Sequence, residues 1–319
     1  MRILITGACG LLGAHLMACL SRQHEVRGVD RHPWWGDKPA DVVMGDLTVP
    51  GFLIHIVEET LPNVLIHCAA MANVDACEQN PTVAYTVNAM VTQRLVQTVS
   101  PACLVVYIST DGLFRGTSPF ATEEQLPCPR TVYGRSKLHG EWEVQQATDN
   151  HLIIRTNFYG WSSGRKQTAG EWLYDALEKG HSMTLVDDFF FTPIYVVDLA
   201  RRLEILIQQE HRGIFHVAGK ERVSKSQFGI LLAEAAGFSL KNVRRGSLSD
   251  APLVASRPRD MSLDSSRFHR LVGVEAPDCL AGLRCFLKDR SRLLSARLDS
   301  DSMVDTKGAL ALRSGGKGS

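Results

Sequence analysis

The chain holds 319 residues, 45% of them hydrophobic and 22% charged, with a formal net charge of +1. That is the composition of a soluble globular protein large enough for a substantial core and a second lobe. So small a net charge gives no field to attract nucleic acid or an anionic membrane, and no apolar run is long enough to span a bilayer.

The opening stretch MRILITGACGLLG predicts a buried strand at Ile3–Ile5, a turn carrying Gly7, Gly10 and Gly13, and a helix whose apolar face includes Leu16 and Leu20. Gly7 allows the turn, Gly10 lets a ligand approach the backbone, and Gly13 lets the helix pack on the strand. Free N–H groups and the positive helix end converge there, so the turn, with Leu11 and Leu12 inside it, is a pyrophosphate site. The second strand, Glu25–Val29, is closed by Asp30, about 20 residues past the turn, where a carboxylate accepts from the ribose hydroxyls of NAD and repels the extra phosphate of NADP. Arg31 and His32 are cations beside it, so NAD is favoured and use of NADP stays open. Val42–Met44 reads as a third strand, followed by Asp46 and Leu47, which flank an adenine or, equally, close a turn. Val64–Cys68 is the fourth strand, and Ala69 and Ala70 after it are small enough for a ribose or diphosphate to approach, or for ordinary packing.

Pro81–Ser100 reads as one helix with Val83, Val87, Val91 and Leu95 in register, and Cys103–Ile108 as the fifth strand. Repeated strand–helix alternation predicts an α/β fold with a doubly wound parallel sheet and ligands at the carboxyl ends of its strands. The fifth strand runs into Ser109-Thr110-Asp111, and Tyr133 and Lys137 stand one helical turn apart some two dozen residues on. At that spacing they share a face, so the Lys137 ammonium is expected to lower the Tyr133 phenol into the working range, with Thr110 hydrogen-bonding a substrate carbonyl. Further on, the pattern predicts strands at Leu152–Thr156, Pro193–Val197 and Gly213–Ala218. It also predicts helices at Ala169–Lys179, near Asp198 to Gln208, and at Ser226–Ala236, the last stopped by Gly237. From about Arg290 onward aspartate, serine and glycine accumulate, and a disordered tail is expected.

Several other features read as structural. His67 and His216 sit in apolar strands and read as core histidines, and Asp187-Asp188 as a charged turn with no metal. Trp34-Trp35 and Phe189–Phe191 form an aromatic cluster that suits a lid, an oligomer contact or the core, leaving a homodimer open. Eight cysteines without a C-x-x-C pair, and a start that enters a strand with no basic leader, fit a reduced, cytoplasmic setting.

Over roughly its first 270 residues the chain resembles the extended short-chain dehydrogenase/reductases, and within them the dTDP-4-dehydrorhamnose reductase group of sugar-nucleotide reductases. The resemblance rests on GACGLLG, CAAMANVDACEQNP, VNA, STDGLF, VYGRSKLHGE, IIRTNFYGW, FTPIYVVDLA and RPRDMSLD, in that order. It implies a Rossmann domain over 1–160 with sheet strands returning from about 190–220, a substrate-binding lobe over 161–289, and the tail over 290–319. It implies Thr110, Tyr133 and Lys137 as the catalytic set, with Tyr133 the acid and Lys137 also gripping the nicotinamide ribose. It implies that Asn88 helps hold the active-site backbone and a water relay. Asp111, Asn157, Phe158, Thr192 and Arg257 face a 4-keto-6-deoxy nucleotide-sugar, reduced by NAD or NADP. Dehydratases on this fold carry Thr-Asp-Glu, whereas Thr110-Asp111 is followed here by Gly112, which favours carbonyl reduction. Gly112 also replaces the group's usual aromatic, and Phe158 its usual tryptophan. Two other readings stay open: a non-catalytic NADP-binding subunit similar to that of methionine adenosyltransferase, and a nucleotide-sugar epimerase.

Overall fold

The computed structural model describes residues 1–34, 40–162, 167–250 and 253–290. Trp35 and the tail beyond 290 lie outside the described residues. The first strand, β1 (Arg2–Thr6), turns at Gly7 into α1 (Leu11–Leu20) and returns as β2 (Glu25–Asp30) and β3 (Val42–Met44). Helix α2 (Pro50–Thr60) leads to β4 (Val64–His67), α3 (Val74–Gln79), α4 (Pro81–Tyr85), α5 (Val91–Thr98) and β5 (Leu104–Ile108). Helix α6 (Val132–Ala147) precedes β6 (His151–Arg155). The strand Gly213–His216 then pairs beside β6, so seven strands lie parallel in the order Gly213–His216, β6, β5, β4, β1, β2, β3.

Near-continuous apolar strands suit a sheet covered on both faces. Side chains alternate between the two layers: Ile3, Ile5, Ile66, Val106 and Ile154 join one core, and Leu4, Leu65, Val105, Tyr107 and Ile153 the other. The strand order reverses between β1 and β4, and that crevice is where ligands settle in such sheets.

The predicted sheet strands agree with the observed ones to within one or two residues. The helix expected over Pro81–Ser100 runs unbroken from Pro81 to Thr98 but is not α throughout. Between α4 and α5 lies one turn of π-helix, Thr86–Met90. The wider turn is held by Asn88, whose side chain bonds both polar groups of Met71 and the Ser136 hydroxyl, while its carbonyl accepts from Tyr107 and Thr92. All of these but Thr92 are distant in sequence, invisible to helical periodicity.

The rest of the chain builds α7 (Ala169–Glu178), α8 (Val196–Gln208), α9 (Lys225–Ala236) and α10 (Ser266–Val272). Both α7 and α9 start with capping boxes, Thr168 with Glu171 and Ser224 with Gln227, and Gly237 ends α9 at φ 72° as expected. The strand predicted over Pro193–Val197 shrinks to Ile194–Tyr195, paired with Phe158–Tyr159. Two more small ribbons, Phe190–Phe191 with Val223–Ser224 and Met183–Val186 with Val243–Gly246, complete this side. Residues 279–290 are helical, and Arg290 pairs with Glu178 at 2.6 Å and lies over the Tyr174 ring. Phe189 and Phe191 are buried, and Trp34 packs against the main core.

Candidate active site

Three glycines shape the first part of the site. Gly7 has φ +69°, and a Cβ on it would stand 2.7 Å from the Ala69 nitrogen. A Cβ on Gly13 would stand 2.1 Å from the Gly7 carbonyl oxygen, so α1 lies directly on the turn. No side chain caps the start of α1 at Gly10. Above it opens a cavity of about 600 Å³ lined by Gly7, Gly10, Leu11, Leu12, Gly13, Asp30, Arg31, Asp46, Leu47, Ala69 and Ala70, and reaching Val87 and Phe158. A narrow, glycine-floored cleft over an uncapped helix start fits a dinucleotide diphosphate.

The Asp30 carboxylate accepts from the Cys9 N–H and the His32 N–H, each at 3.0 Å, so it also braces the glycine turn. Asp46 lines the cavity and closes the turn into α2, accepting from the Thr48 N–H at 2.9 Å and hydroxyl at 2.8 Å. Those bonds, the backbone one first, hold its carboxyl below the usual range. Asn88 is fully buried in the π-turn and stands outside the cavity lining, shaping the 69–73 loop from behind.

The second part is the cluster of Thr110, Tyr133 and Lys137, the set expected to be catalytic. Thr110 starts a short 3-10 turn at the end of β5, its hydroxyl accepting from the Gly112 N–H at 3.1 Å and donating to Asp111 Oδ1 at 3.1 Å. Thr131 caps α6, which sets Tyr133 in the first turn beside Thr110 and Lys137 one turn on. The expected lowering of the phenol is corrected here. Lys137 Nζ lies 3.9 Å from the centroid of the Tyr107 ring on β5. Burial pushes Tyr133 up to about 12, opposed by the Thr110 hydrogen bond and reinforced by the Asp111 charge. Burial pushes Lys137 down to about 7, opposed by the charges of Glu141 and Cys68. Sharing a helix face fixed where the two side chains leave α6; the aromatic face of Tyr107 decided where the ammonium rests.

The third part is a pocket of about 250 Å³ that shares Ala72 and Phe158 with the larger cavity and is lined by Thr110, Asp111, Gly112, Tyr133, Asn157, Phe189 and Arg257. Asn157 donates to Asp111 Oδ2 at 2.6 Å. Burial pushes Asp111 up to about 6 against the Asn157 and Thr110 hydrogen bonds and the Lys225 charge. Arg257 pairs with Asp75 at 3.1 Å and keeps one guanidinium nitrogen buried and unpartnered. Thr192 does not reach the pocket: it is fully buried, and its hydroxyl accepts from the Leu263 N–H at 3.1 Å. Sequence reasoning missed Asp75 and Lys225. Asp75 lies inside a motif already singled out, whereas a lysine at a helix start carries no local mark of what it faces.

His67 bonds Thr6 at 2.6 Å and Thr92 at 3.1 Å, and His216 donates to the Ala121 carbonyl at 2.9 Å, so both are the core histidines expected. Asp188 bonds Ser247 and the Leu248 N–H, a charged turn. Among the described residues no group of three His, Cys, Asp or Glu side chains is placed to hold a metal ion, and no helix is long and apolar enough to cross a membrane.

A doubly wound sheet with a glycine-floored cleft at its switch point, and a Thr-Tyr-Lys cluster beside it, defines a protein of the extended short-chain dehydrogenase/reductase type. The chain belongs to the family described as the RmlD substrate binding domain, whose model matches residues 1–292. It is 32% identical over 298 residues to the probable low-salt glycan biosynthesis reductase Agl14 of Haloferax volcanii, covering 90% of this chain and 98% of that one. It is 28% identical over 297 residues to methionine adenosyltransferase 2 subunit beta of Bos taurus, covering 86% and 84%. Among solved structures it is similar to dTDP-4-dehydrorhamnose reductase from Bacillus anthracis in complex with NADP, at a TM-score of 0.81 and 27% identity, over 90% of this chain and 99% of that one.

Proposed function

We propose that this protein is an NAD(P)H-dependent reductase of a 4-keto-6-deoxy nucleotide-sugar. The observation that carries the reading is the junction of two cavities, one fitted to a dinucleotide and one lined by Thr110, Tyr133 and Asp111, with Ala72 and Phe158 in both walls. Its relatives in sequence and structure include a probable glycan biosynthesis reductase and a dTDP-4-dehydrorhamnose reductase, which supports the reading. The chemistry a reduced nicotinamide would supply, when held in the larger cavity, is hydride for a carbonyl carbon. Tyr133 gives the proton to the oxygen, and burial keeps the phenol protonated at neutral pH, the state an acid needs. Thr110 orients the carbonyl. Lys137 would hold the nicotinamide ribose from beneath, and the glycine turn the diphosphate. Arg257, braced by Asp75, offers its free N–H to the sugar's diphosphate. With no carboxylate at Gly112 to join Asp111, elimination of water lacks its second acid–base group. Asp30 supports NAD, and Arg31 beside it leaves room for NADP.

The test is loss of NAD(P)H absorbance on adding a dTDP-linked 4-keto-6-deoxyhexose to the purified protein. Stoichiometric consumption supports a reductase. Conversion of substrate with the cofactor unconsumed indicates an epimerase. The 28% identity to the methionine adenosyltransferase subunit favours a second reading, a dinucleotide-binding partner without turnover. No oxidation with any keto-sugar, together with co-purification of a larger enzyme, would establish it.

A further inference from the structure

Resting on the dinucleotide reading just given, we infer that Glu171 is a positioning residue: its carboxylate builds the second wall of the dinucleotide cavity, the wall that meets the diphosphate from the side opposite the glycine turn. The glycine turn supplies one side of that cavity. Ser162, Gln167, Thr168 and Ala169, from a distant part of the chain, line it as well. This stretch lies against the start of α1, since a Cβ on Gly160 would stand 3.3 Å from Leu11 Cδ1. Glu171 itself stands behind the wall, outside the cavity lining, and is 7% exposed.

The carboxylate ties two lining residues to each other. Oε1 accepts from the Ser162 N–H at 2.7 Å, and Oε2 accepts from the Thr168 N–H at 2.6 Å. The Ser162 hydroxyl lies between them, 3.0 Å from Oε1 and 2.9 Å from Oε2. The Thr168 hydroxyl closes the arrangement, accepting from the Glu171 N–H at 3.1 Å and donating to the Gly160 carbonyl at 2.9 Å. The neighbouring Trp161 is fixed independently. Its ring stacks on Phe286 at 4.2 Å, and its indole N–H donates to the Phe286 carbonyl at 2.6 Å. The helix over 279–290 thus pins Trp161, and α7 pins Ser162 through Glu171.

This arrangement asks for more than a helix cap. Capping α7 needs one acceptor at its third position, and a glutamine suffices for that. Gln227 does so in α9, where its side-chain oxygen accepts from the Ser224 N–H at 2.7 Å. At Glu171 each oxygen takes a different backbone N–H, and a backbone N–H can only donate. An amide of the same shape has a single oxygen, so it can keep the cap at Thr168 but turns an NH₂ towards the Ser162 N–H. The negative charge is also spent on these donors behind the wall, where it does not repel a diphosphate in front of it.

The test is dinucleotide affinity, which needs no sugar. Glu171→Gln should raise the Kd for NADH and NADPH by about tenfold or more, while kcat at saturating cofactor stays within about threefold of wild type. Ser162→Ala loses only the shared hydroxyl and should raise the Kd by about threefold, so it decides the matter if Glu171→Gln does not fold. Competition by 5′-AMP, which stops before the diphosphate, should be the same in wild type and both variants. A dinucleotide Kd unchanged in the variants that fold overturns the inference. So does an equal loss of affinity for 5′-AMP, the mark of a general loosening of the fold. A wild type that binds neither NADH nor NADPH refutes the dinucleotide reading and this inference with it. A wild type that binds them but reduces no keto-sugar refutes the reductase reading alone, and the affinities still decide the role of Glu171.

Discussion

Lys137→Met should make the protein more stable near neutral pH while disabling it. The ammonium is 2% exposed and burial brings it down to about 7 from an ordinary 10.5. A lysine whose folded pKa is depressed costs stability wherever both states are charged. That cost is on the order of 5 kcal/mol below pH 7 and is relieved between about pH 7 and 10.5, where only the unfolded chain holds the proton. Methionine fills the same channel without charge, at the loss of the contact over Tyr107, about 1–2 kcal/mol. The net gain is then about 3 kcal/mol, several degrees in Tm. Thermal unfolding of wild type and variant from pH 6 to 10 measures it. The gap should be widest at pH 6 to 7 and close as pH rises, while dinucleotide turnover is lost at every pH. A variant less stable than wild type at pH 7, or a gap that does not change with pH, refutes the reasoning: the lysine would then be satisfied where it lies.

Tyr133→Phe should lower turnover by about 10²-fold or more while leaving cofactor affinity nearly intact; steady-state rates and a binding titration check both. Glu141→Gln should cost about 3–5 kcal/mol in denaturant unfolding, because Arg155, paired to Glu141 at 2.7 Å deep between α6 and β6, would keep a buried charge without its partner. Gly13→Ala should abolish dinucleotide binding, since its new methyl would overlap the Gly7 carbonyl; a Kd for NADH or NADPH unchanged within a factor of about 3, less than 1 kcal/mol, would contradict the close fit. Asp30→Ser should shift the ratio of NADPH to NADH affinity towards NADPH by about tenfold, one like-charge repulsion removed, and a ratio that stays put would mean that Asp30 only braces the turn at Cys9.

The amino-acid order alone determined the parallel sheet, the glycine turn and the two polypeptide stretches that carry the reactive groups. Each is written in short-range terms: apolar runs such as Ile3–Ile5, glycines where a side chain has no room, and a four-residue step that puts Tyr133 and Lys137 on one face. What the chain does with those groups was settled by residues far away in sequence. Tyr107 draws the Lys137 ammonium, Met71 and Ser136 open a π-turn around Asn88, and Leu263 claims Thr192. Lys225 comes to face Asp111 from 114 residues on. Spacing along a helix tells where a side chain starts, but a charge or hydroxyl several bonds out settles on whichever partner the folded surroundings bring closest. Only the packed structure supplies that partner.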